Sequence, residues 1–257
     1  MIIKQKVFSK FVNKNKIIVG LTSWPKRING INDTLISIAA QTIKPDEFYL
    51  ILSEKEFPNK EKDLPDYIIE FKNHHNFFKI EWTKDNLKNF KKNLPLIKKY
   101  NSDPNVILYI IDDDIYYKEK YIEDTLRCFL EVNESRNAVI TWNFPWTSGG
   151  WVNNEPGRRI IGSYGIYRAS FFTPITWTIT EEDIARYNYF SEDFWITYNL
   201  HFNGVKFELL PYEHLTNLIE FTDTEKLSPL REIHNKYTPE EKLRNFLDCY
   251  NRHKHKN

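Results

Sequence analysis

The sequence is poor in cysteine and has no long apolar segment. Its two cysteines, Cys128 and Cys249, lie far apart and have no metal-type spacing, which favours a reducing compartment and argues against a disulfide scaffold. No apolar stretch approaches the roughly 20 residues that a membrane-spanning helix needs, and the start lacks the apolar core of a signal peptide. We therefore expect a cytoplasmic protein that is at most peripheral at the inner face of a membrane.

An excess of one charge is also missing. The 36 Lys and Arg residues almost balance the 35 Asp and Glu residues and give a formal charge of +1, so no general electrostatic argument favours a nucleic-acid partner. Basic residues do collect at the ends of the chain: five lysines lie in the first 16 residues, and residues 252–257 read Arg-His-Lys-His-Lys-Asn. Such ends suit an anionic lipid surface, although solvated tails explain them as well. The sequence does not indicate an oligomeric state.

Apolar runs alternate with helical patterns along most of the chain. This rhythm predicts an α/β protein with a parallel sheet and right-handed crossovers, in one domain large enough for a proper core. The predicted strands cover 16–21, 47–52, 78–82, 105–111, 138–142 and 205–210. The predicted helices cover 28–41, 65–73, 90–100, 118–133, 191–203 and 238–250.

Three consecutive carboxylates, Asp112, Asp113 and Asp114, follow the apolar run that starts at Asn105. Adjacent acids at the end of a buried strand require a positive partner. Because side chains alternate along a strand, we expect Asp112 and Asp114 on one side and Asp113 on the other. Two carboxylates on one side suit Mg²⁺ or Mn²⁺ held together with substrate phosphates. A solvated acidic turn is the alternative, which is disfavoured because no Gly, Asn or Pro accompanies the acids.

Four ordered segments resemble a known family. They are Thr22-Ser-Trp-Pro-Lys-Arg27 after the first strand, the Asp112–Asp114 run, Gly162-Ser-Tyr-Gly165, and Ser191-Glu-Asp193 with the segment through Lys206. Together they are similar to the GT-A glycosyltransferases, in particular to bacterial family-two-like enzymes that build surface glycans. The resemblance covers roughly residues 16 to 215. Residues 85–95 match the family only loosely.

The resemblance implies a fold and a function. The implied fold is α/β and GT-A (Rossmann-like), with a mostly parallel central sheet flanked by helices. It forms a single domain over 1–257: a nucleotide-binding part at about 16–117, an acceptor-binding part at about 138–215 and a C-terminal helical tail at about 216–257. The implied reaction is the metal-dependent, inverting transfer of a sugar from a nucleotide diphosphate sugar, expected to be UDP-linked, to a saccharide or lipid-linked saccharide. The alternatives are a non-catalytic carbohydrate- or metal-binding module and a sugar nucleotidyltransferase.

The donor side of the implied site combines acids, hydroxyls and cations. Arg and Lys suit phosphate charge, by a planar fork and a point charge respectively, although solvated basic residues are frequent in this chain. The expected nucleotide-binding residues are Thr22, Ser23, Arg27, Lys92, Asp112 and Asp113. The expected ligands of Mn²⁺ or Mg²⁺ are Asp114, Asp112 and His214. A lone His is more often a satisfied surface or core residue, and His214 is an acceptable ligand for Mn²⁺ and a poorer one for Mg²⁺.

The acceptor side of the implied site centres on Asp193. Ser191 is the expected N-cap of a helix, so Asp193 falls in its first turn, where the helix dipole favours the charged form. An ionised carboxylate there can act as general base towards an acceptor hydroxyl. Acids in the first turn of a helix are also common without any catalytic role. Glu192 is expected to bind acceptor or to be structural, and Gly165 belongs to the acceptor segment.

Residues 143–165 hold five of the eight glycines and little periodicity, which predicts a long functional loop. Three of the seven tryptophans, Trp142, Trp146 and Trp151, fall within ten residues at its start. Apolar faces of sugars stack on such rings, so we expect these residues to bind the acceptor. A hydrophobic cluster that pins a long loop is the alternative.

Overall fold

The structure is a computed structural model of the chain. It describes residues 5–133, 138–142, 151–152, 155–156, 165–187, 192–210, 217–222 and 239–254.

A seven-stranded sheet forms the centre of the molecule, in the order β10-β6-β9-β4-β1-β2-β3. Six of these strands run parallel to one another, and β9 runs antiparallel to its neighbours β4 and β6. Two short ladders, β5 with β11 and β7 with β8, lie outside the sheet. The strands are β1 Lys16–Leu21, β2 Glu47–Ser53, β3 Phe78–Thr83, β4 Val106–Ile110, β5 Ile115–Tyr117, β6 Ala138–Trp142, β7 Trp151–Val152, β8 Glu155–Pro156, β9 Ile166–Arg168, β10 Lys206–Leu210 and β11 Ile219–Phe221.

Helices cover both faces of the sheet. They are α1 Gln5–Lys14, α2 Asn32–Ala39, α3 Asp66–His74, α4 Leu94–Tyr100, α5 Tyr121–Asn133, α6 Glu181–Arg186, α7 Glu192–Phe202 and α8 Pro239–Lys254. Short 3₁₀ turns occur at Ile28–Gly30, Lys60–Asp63, Lys88–Lys92, Ala169–Phe171 and Pro174–Trp177. None of the helices described here is both long and apolar enough to cross a membrane.

The apolar side chains form two cores, one on each face of the sheet. Along β1, Ile17 and Val19 belong to one core and Ile18 to the other, as strand alternation requires. The first core packs under α1, α2, α3 and α5, and the second under α4, α7 and α8. Burial on both faces explains why these strands read as nearly continuous apolar runs.

The described elements confirm the predicted α/β fold with its mostly parallel sheet and flanking helices. Seven of the described helices and strands were not predicted: the helices α1 and α6, the antiparallel strand β9, and the short strands β5, β7, β8 and β11. Within the lysine-rich start, Gln5–Lys14 forms α1, which buries Phe8 against the first core, so this part is not a solvated tail; the lipid contact stays a prediction. The Arg127 guanidinium carbon lies 3.8 Å from the centre of the Phe8 ring and covers it.

The order of the strands locates a crevice. From β1 the chain builds the sheet in one direction through β2 and β3, and then returns to place β4 on the other side of β1. Ligands of open α/β sheets bind outside the carboxyl ends of the strands at such a switch point. The residues after β1 and β4 are Thr22, Ser23 and the three consecutive acids.

Candidate active site

The acidic run lies in a loop. β4 ends at Ile110 and β5 begins at Ile115, so Asp112, Asp113 and Asp114 connect the two strands. The Asp112 backbone N–H donates to the Tyr117 hydroxyl (3.0 Å), and the Thr222 N–H donates to the Asp114 carbonyl oxygen (2.9 Å). These two bonds anchor the loop to β5 and to the segment after β11.

Arg27 pairs with two of the three acids. Its Nη2 lies 2.7 Å from Asp113 Oδ1 and 2.6 Å from Asp114 Oδ2. The Ser23 hydroxyl donates to Asp113 Oδ2 at 2.5 Å. β4 ends before the acids, so strand alternation does not place their side chains. Asp113 and Asp114 share a guanidinium and Asp112 faces another cation, while the charge of Asp112 also acts on Asp114. That Asp112 and Asp114 lie on one side stays a prediction.

Burial sets the charge properties of this cluster. It raises the pKa of Asp113 to about 6, although Arg27 and Ser23 oppose the shift. Burial and the neighbouring charge of Asp112 also raise the pKa of Asp114, again against Arg27. For Arg27, burial disfavours the charged form, but Asp113 and Asp114 outweigh it and raise the guanidinium pKa. The loop thus binds positive charge strongly.

Lys92 lies between the loop and α7. Its Nζ is 2.5 Å from Asp112 Oδ1 and 3.2 Å from Glu192 Oε1, and the residue is 2% exposed. Burial alone would lower the pKa of Lys92, but the charges of Asp112, Glu192 and Asp193 outweigh it and raise the pKa. The sequence assigned Lys92 to phosphate, whereas here its ammonium group contacts two carboxylates.

The first turn of α7 supplies the remaining acids. Glu192 and Asp193 are both 6% exposed. Burial, together with Asp193 and Asp112, raises the pKa of Glu192 to about 7, against the effect of Lys92. The structure therefore brings together three elements predicted to act in one site: the loop after β1, the acidic loop and the start of α7.

The other predicted site residues either make no contact with the acidic cluster in the described part of the chain or lie outside the described residues. The Thr22 hydroxyl donates to the Ile51 carbonyl oxygen (2.6 Å), and Gly165 directly precedes β9 at the same edge of the sheet. Trp142 and Trp151 belong to β6 and β7, but their side chains are not described. Trp146, His214 and Ser191 lie outside the described residues.

Two residues that shape the site were not predicted. A Cβ on Gly20 would lie 2.2 Å from the Lys92 carbonyl oxygen and 2.6 Å from Leu96 Cδ1, so only glycine allows this approach. A glycine inside an apolar strand is the available sequence signal. The Tyr167 hydroxyl is buried without a hydrogen-bond partner among the described residues. Burial raises its pKa, and the charges of Lys92, Asp193 and Glu192 also act on it.

The donor set at the acidic loop fits a divalent cation that is shared with a diphosphate. Within the described part of the chain, two cations, Arg27 and Lys92, contact four carboxyl groups there: Asp112, Asp113, Asp114 and Glu192. Nη2 of Arg27 is held by Asp113 and Asp114, whereas its Nε is buried without a hydrogen-bond partner among the described residues. An excess of acid that would accept a metal thus lies beside an N–H group that would donate to phosphate oxygens.

A second cluster, Asp183, Cys249 and His253, has ligand-type atoms within 4.8 Å of one another. The Asp183 carboxylate of this cluster already has protein partners for both of its oxygens. His253 Nε2 is 2.8 Å from Asp183 Oδ2, Thr180 donates to the same carboxylate through its N–H and its hydroxyl, and Arg252 Nη1 lies 3.1 Å from Asp183 Oδ1. Arg252 supplies the positive charge, so we interpret the cluster as a polar contact that fixes α8 to α6.

No family model matches this sequence, and no curated protein matches it. Among solved structures, Staphylococcus aureus TarS 1-349 matches 91% of this chain and 71% of its own length, with a TM-score of 0.51 and 15% identity. The chain has a GT-A-like fold. TarS 1-349 in complex with UDP-GlcNAc matches 76% of this chain and 56% of its own length (TM-score 0.48, 14% identity). A 4-diphosphocytidyl-2C-methyl-D-erythritol synthase from Anaerococcus prevotii matches 79% of this chain and 89% of its own length (TM-score 0.46, 10% identity).

Proposed function

We propose that the protein is a glycosyltransferase that moves a sugar from a nucleotide diphosphate sugar to a saccharide or lipid-linked saccharide acceptor. The observation that carries the proposal is the meeting of the acidic loop and the first turn of α7 at Lys92. Glycosyl transfer needs charge stabilisation for the departing diphosphate and a base for the acceptor hydroxyl. One buried cluster at the sheet's switch point offers both kinds of group.

On the donor side, Asp114 and Asp112 would hold a Mn²⁺ or Mg²⁺ ion, with His214 as a further candidate. When bound, such an ion supplies Lewis-acid stabilisation of the leaving diphosphate. Arg27 would donate to the diphosphate through its buried Nε–H group, and Ser23 holds Asp113 in place. The donor is expected to be UDP-linked, in keeping with the UDP-GlcNAc complex of TarS.

On the acceptor side, Asp193 is the proposed base. It lies in the first turn of α7, where the helix N-terminus favours a carboxylate. Its neighbour Glu192 pairs with Lys92, which leaves the two acids with separate tasks. Attack by an acceptor hydroxyl on the face opposite the diphosphate would invert the anomeric configuration. Trp142, Trp146 and Trp151 remain proposed acceptor contacts.

The first test is nucleotide binding. We expect a panel of nucleotide sugars, screened by thermal shift with Mn²⁺, to contain at least one that raises the melting temperature. Ligand at 100 times its Kd adds about 2.7 kcal/mol to the stability of the folded state. The shift should disappear with chelator and in Asp114→Asn, because both remove the charge that holds the diphosphate.

Asp103→Asn is the matched control, since Asp103 is an exposed acid at the other end of β4. This variant should bind like the parent protein. Undiminished nucleotide binding after chelation would contradict the metal assignment, and the absence of a shift with every nucleotide sugar would contradict the donor class.

A further inference from the structure

Lys92 is buried more deeply than a phosphate ligand needs to be. Its side chain is 3% exposed, and its ammonium group lies between one acid of the donor loop and one acid of α7. A buried ammonium group requires such partners, because removal of its hydration shell is costly. Its single positive charge in turn compensates part of the charge of Asp112 and Glu192. The lysine therefore connects the two parts of the proposed site directly.

The backbone around Lys92 fixes the position of this contact. Lys92 ends the 3₁₀ turn Lys88–Lys92, and its carbonyl oxygen packs against Gly20 in β1, where a Cβ would collide at 2.2 Å. Leu96, in the following helix α4, packs on the same glycine. The central strand of the sheet thus supports the segment that places the ammonium group.

We propose that Lys92 is a positioning residue, which sets the distance between the donor loop and the base-bearing turn of α7. This inference rests on the proposed function. In this role Lys92 does not bind the diphosphate. Its charge holds Asp112 and Glu192 together, so that Asp193, next to Glu192, faces the sugar that the donor loop binds. Removal of the ammonium group would then impair chemistry while nucleotide binding persists.

The test compares Lys92→Met with Lys92→Arg. The probes are UDP with Mn²⁺ in a calorimetric titration, and release of UDP from the nucleotide sugar that the parent protein cleaves. We expect Lys92→Met to bind UDP within about threefold of the parent and to lose at least tenfold in kcat with little change in KM. Lys92→Arg should recover part of kcat, because it keeps the charge that joins the two acids.

Lys91→Met is the matched control. Lys91 is the preceding residue, is equally buried and pairs with Glu56 instead of with Asp112 or Glu192. It should lose stability like Lys92→Met while its kcat stays within about threefold of the parent value. If Lys92→Met does not fold, Gly20→Ala takes its place, because its added Cβ displaces the Lys92 backbone while every charge is kept. Gly20→Ala should show the same loss of kcat and retain UDP binding.

Two results would overturn the inference while leaving the proposed function intact. A tenfold or greater loss of UDP affinity in Lys92→Met would make Lys92 a phosphate ligand, and unchanged kcat in both Lys92→Met and Gly20→Ala would remove it from the site. A parent protein that neither binds UDP nor cleaves any nucleotide sugar would instead contradict the proposed function itself.

Discussion

At the residue scale, the five acids of the site differ in the cation that each one faces. Asp113 and Asp114 share Arg27, whereas Asp112 and Glu192 share Lys92. Asp193 follows Glu192 and lies within the electrostatic range of Lys92. These neighbours suggest a division of tasks, in which the loop binds the donor and Asp193 acts on the acceptor.

The division of tasks predicts the behaviour of Asp193→Asn. The substitution keeps the size of the side chain and removes its basicity. We expect the affinity for UDP with Mn²⁺ to stay within a few-fold of the parent value, while transfer falls by about two or more powers of ten. The anomeric proton of the parent enzyme's product, observed by NMR, should show inversion relative to the donor.

Asp33→Asn serves as control, because Asp33 lies in the first turn of another helix, α2, and is exposed. Its transfer rate should equal that of the parent. A product with retained configuration, or turnover of Asp193→Asn near the parent rate, would show that Asp193 is not the base.

At the element scale, α7 depends on α8. Phe246 of α8 stacks on Tyr198 with ring centres 4.6 Å apart and packs against Trp195 at 5.3 Å. The end of α8 is fixed in turn by Asp183 of α6, which His253 and Arg252 contact. The helix that carries the acids is therefore held from behind by a contact between two other helices.

This arrangement predicts a pH-dependent stability contribution from Asp183. Burial alone would raise the pKa of Asp183, but hydrogen bonds from Thr180 and the contact with His253 outweigh it and lower the pKa. A lowered pKa in the folded state contributes stability above the unfolded-state value of about 4, and this stability is lost as the pH falls through the folded-state value. We expect Asp183→Asn to lower the free energy of unfolding by about 3 kcal/mol at pH 7.

The measurement is denaturant unfolding of both proteins between pH 7 and pH 3, and the difference should narrow only below about pH 4. Glu182→Gln is the control: Glu182 is the neighbouring acid, it is largely exposed, and its loss should cost less than about 1 kcal/mol. A difference between Asp183→Asn and the parent that is equally large at pH 3 would contradict the assigned role of the carboxylate.

The elements that could be predicted are those whose burial follows a regular period. β1, β2 and β3 begin at the predicted residues and end within one residue of the prediction, because β1 and β2 are buried on both faces and the apolar residues of β3 alternate along its length. α1 was missed because its three buried or half-buried positions are interspersed among lysines, and β9 because three residues show no period. The predicted helix 90–100 covers the end of the 3₁₀ turn Lys88–Lys92 and then α4. Lys92 is the last residue of that turn, directly before the break between the two elements.

The sequence predicts which residues form the candidate site, but it predicts only part of how their side chains are arranged. The sequence indicates which acids follow β4, because the apolar run is unmistakable. It does not indicate that the strand ends at Ile110, before the acids, so strand alternation could not place the side chains of Asp112 to Asp114. The bridge from Lys92 to Glu192 joins residues 100 positions apart, and no local pattern encodes such a contact.

At the scale of the whole molecule, one sheet with a core on each face supports both parts of the site. The loops after β1 and β4 lie at the switch point, and β9, β6 and β10 extend the sheet towards the segments assigned to the acceptor. The division into a nucleotide-binding part, an acceptor-binding part and a C-terminal tail within a single domain stays a prediction. So do the peripheral contact with a membrane and the identity of the donor sugar.

The central proposal is that the protein cleaves the bond between the sugar and the diphosphate of a nucleotide sugar. Its most direct test is product analysis after incubation of the protein with Mn²⁺, a panel of nucleotide sugars and, in a parallel set, nucleoside triphosphates with sugar phosphates. We predict nucleoside diphosphate and a free or transferred sugar from at least one nucleotide sugar, with loss of both products on chelation. Pyrophosphate released only from the triphosphate set would identify a nucleotidyltransferase and contradict the account, and so would the absence of products from both sets.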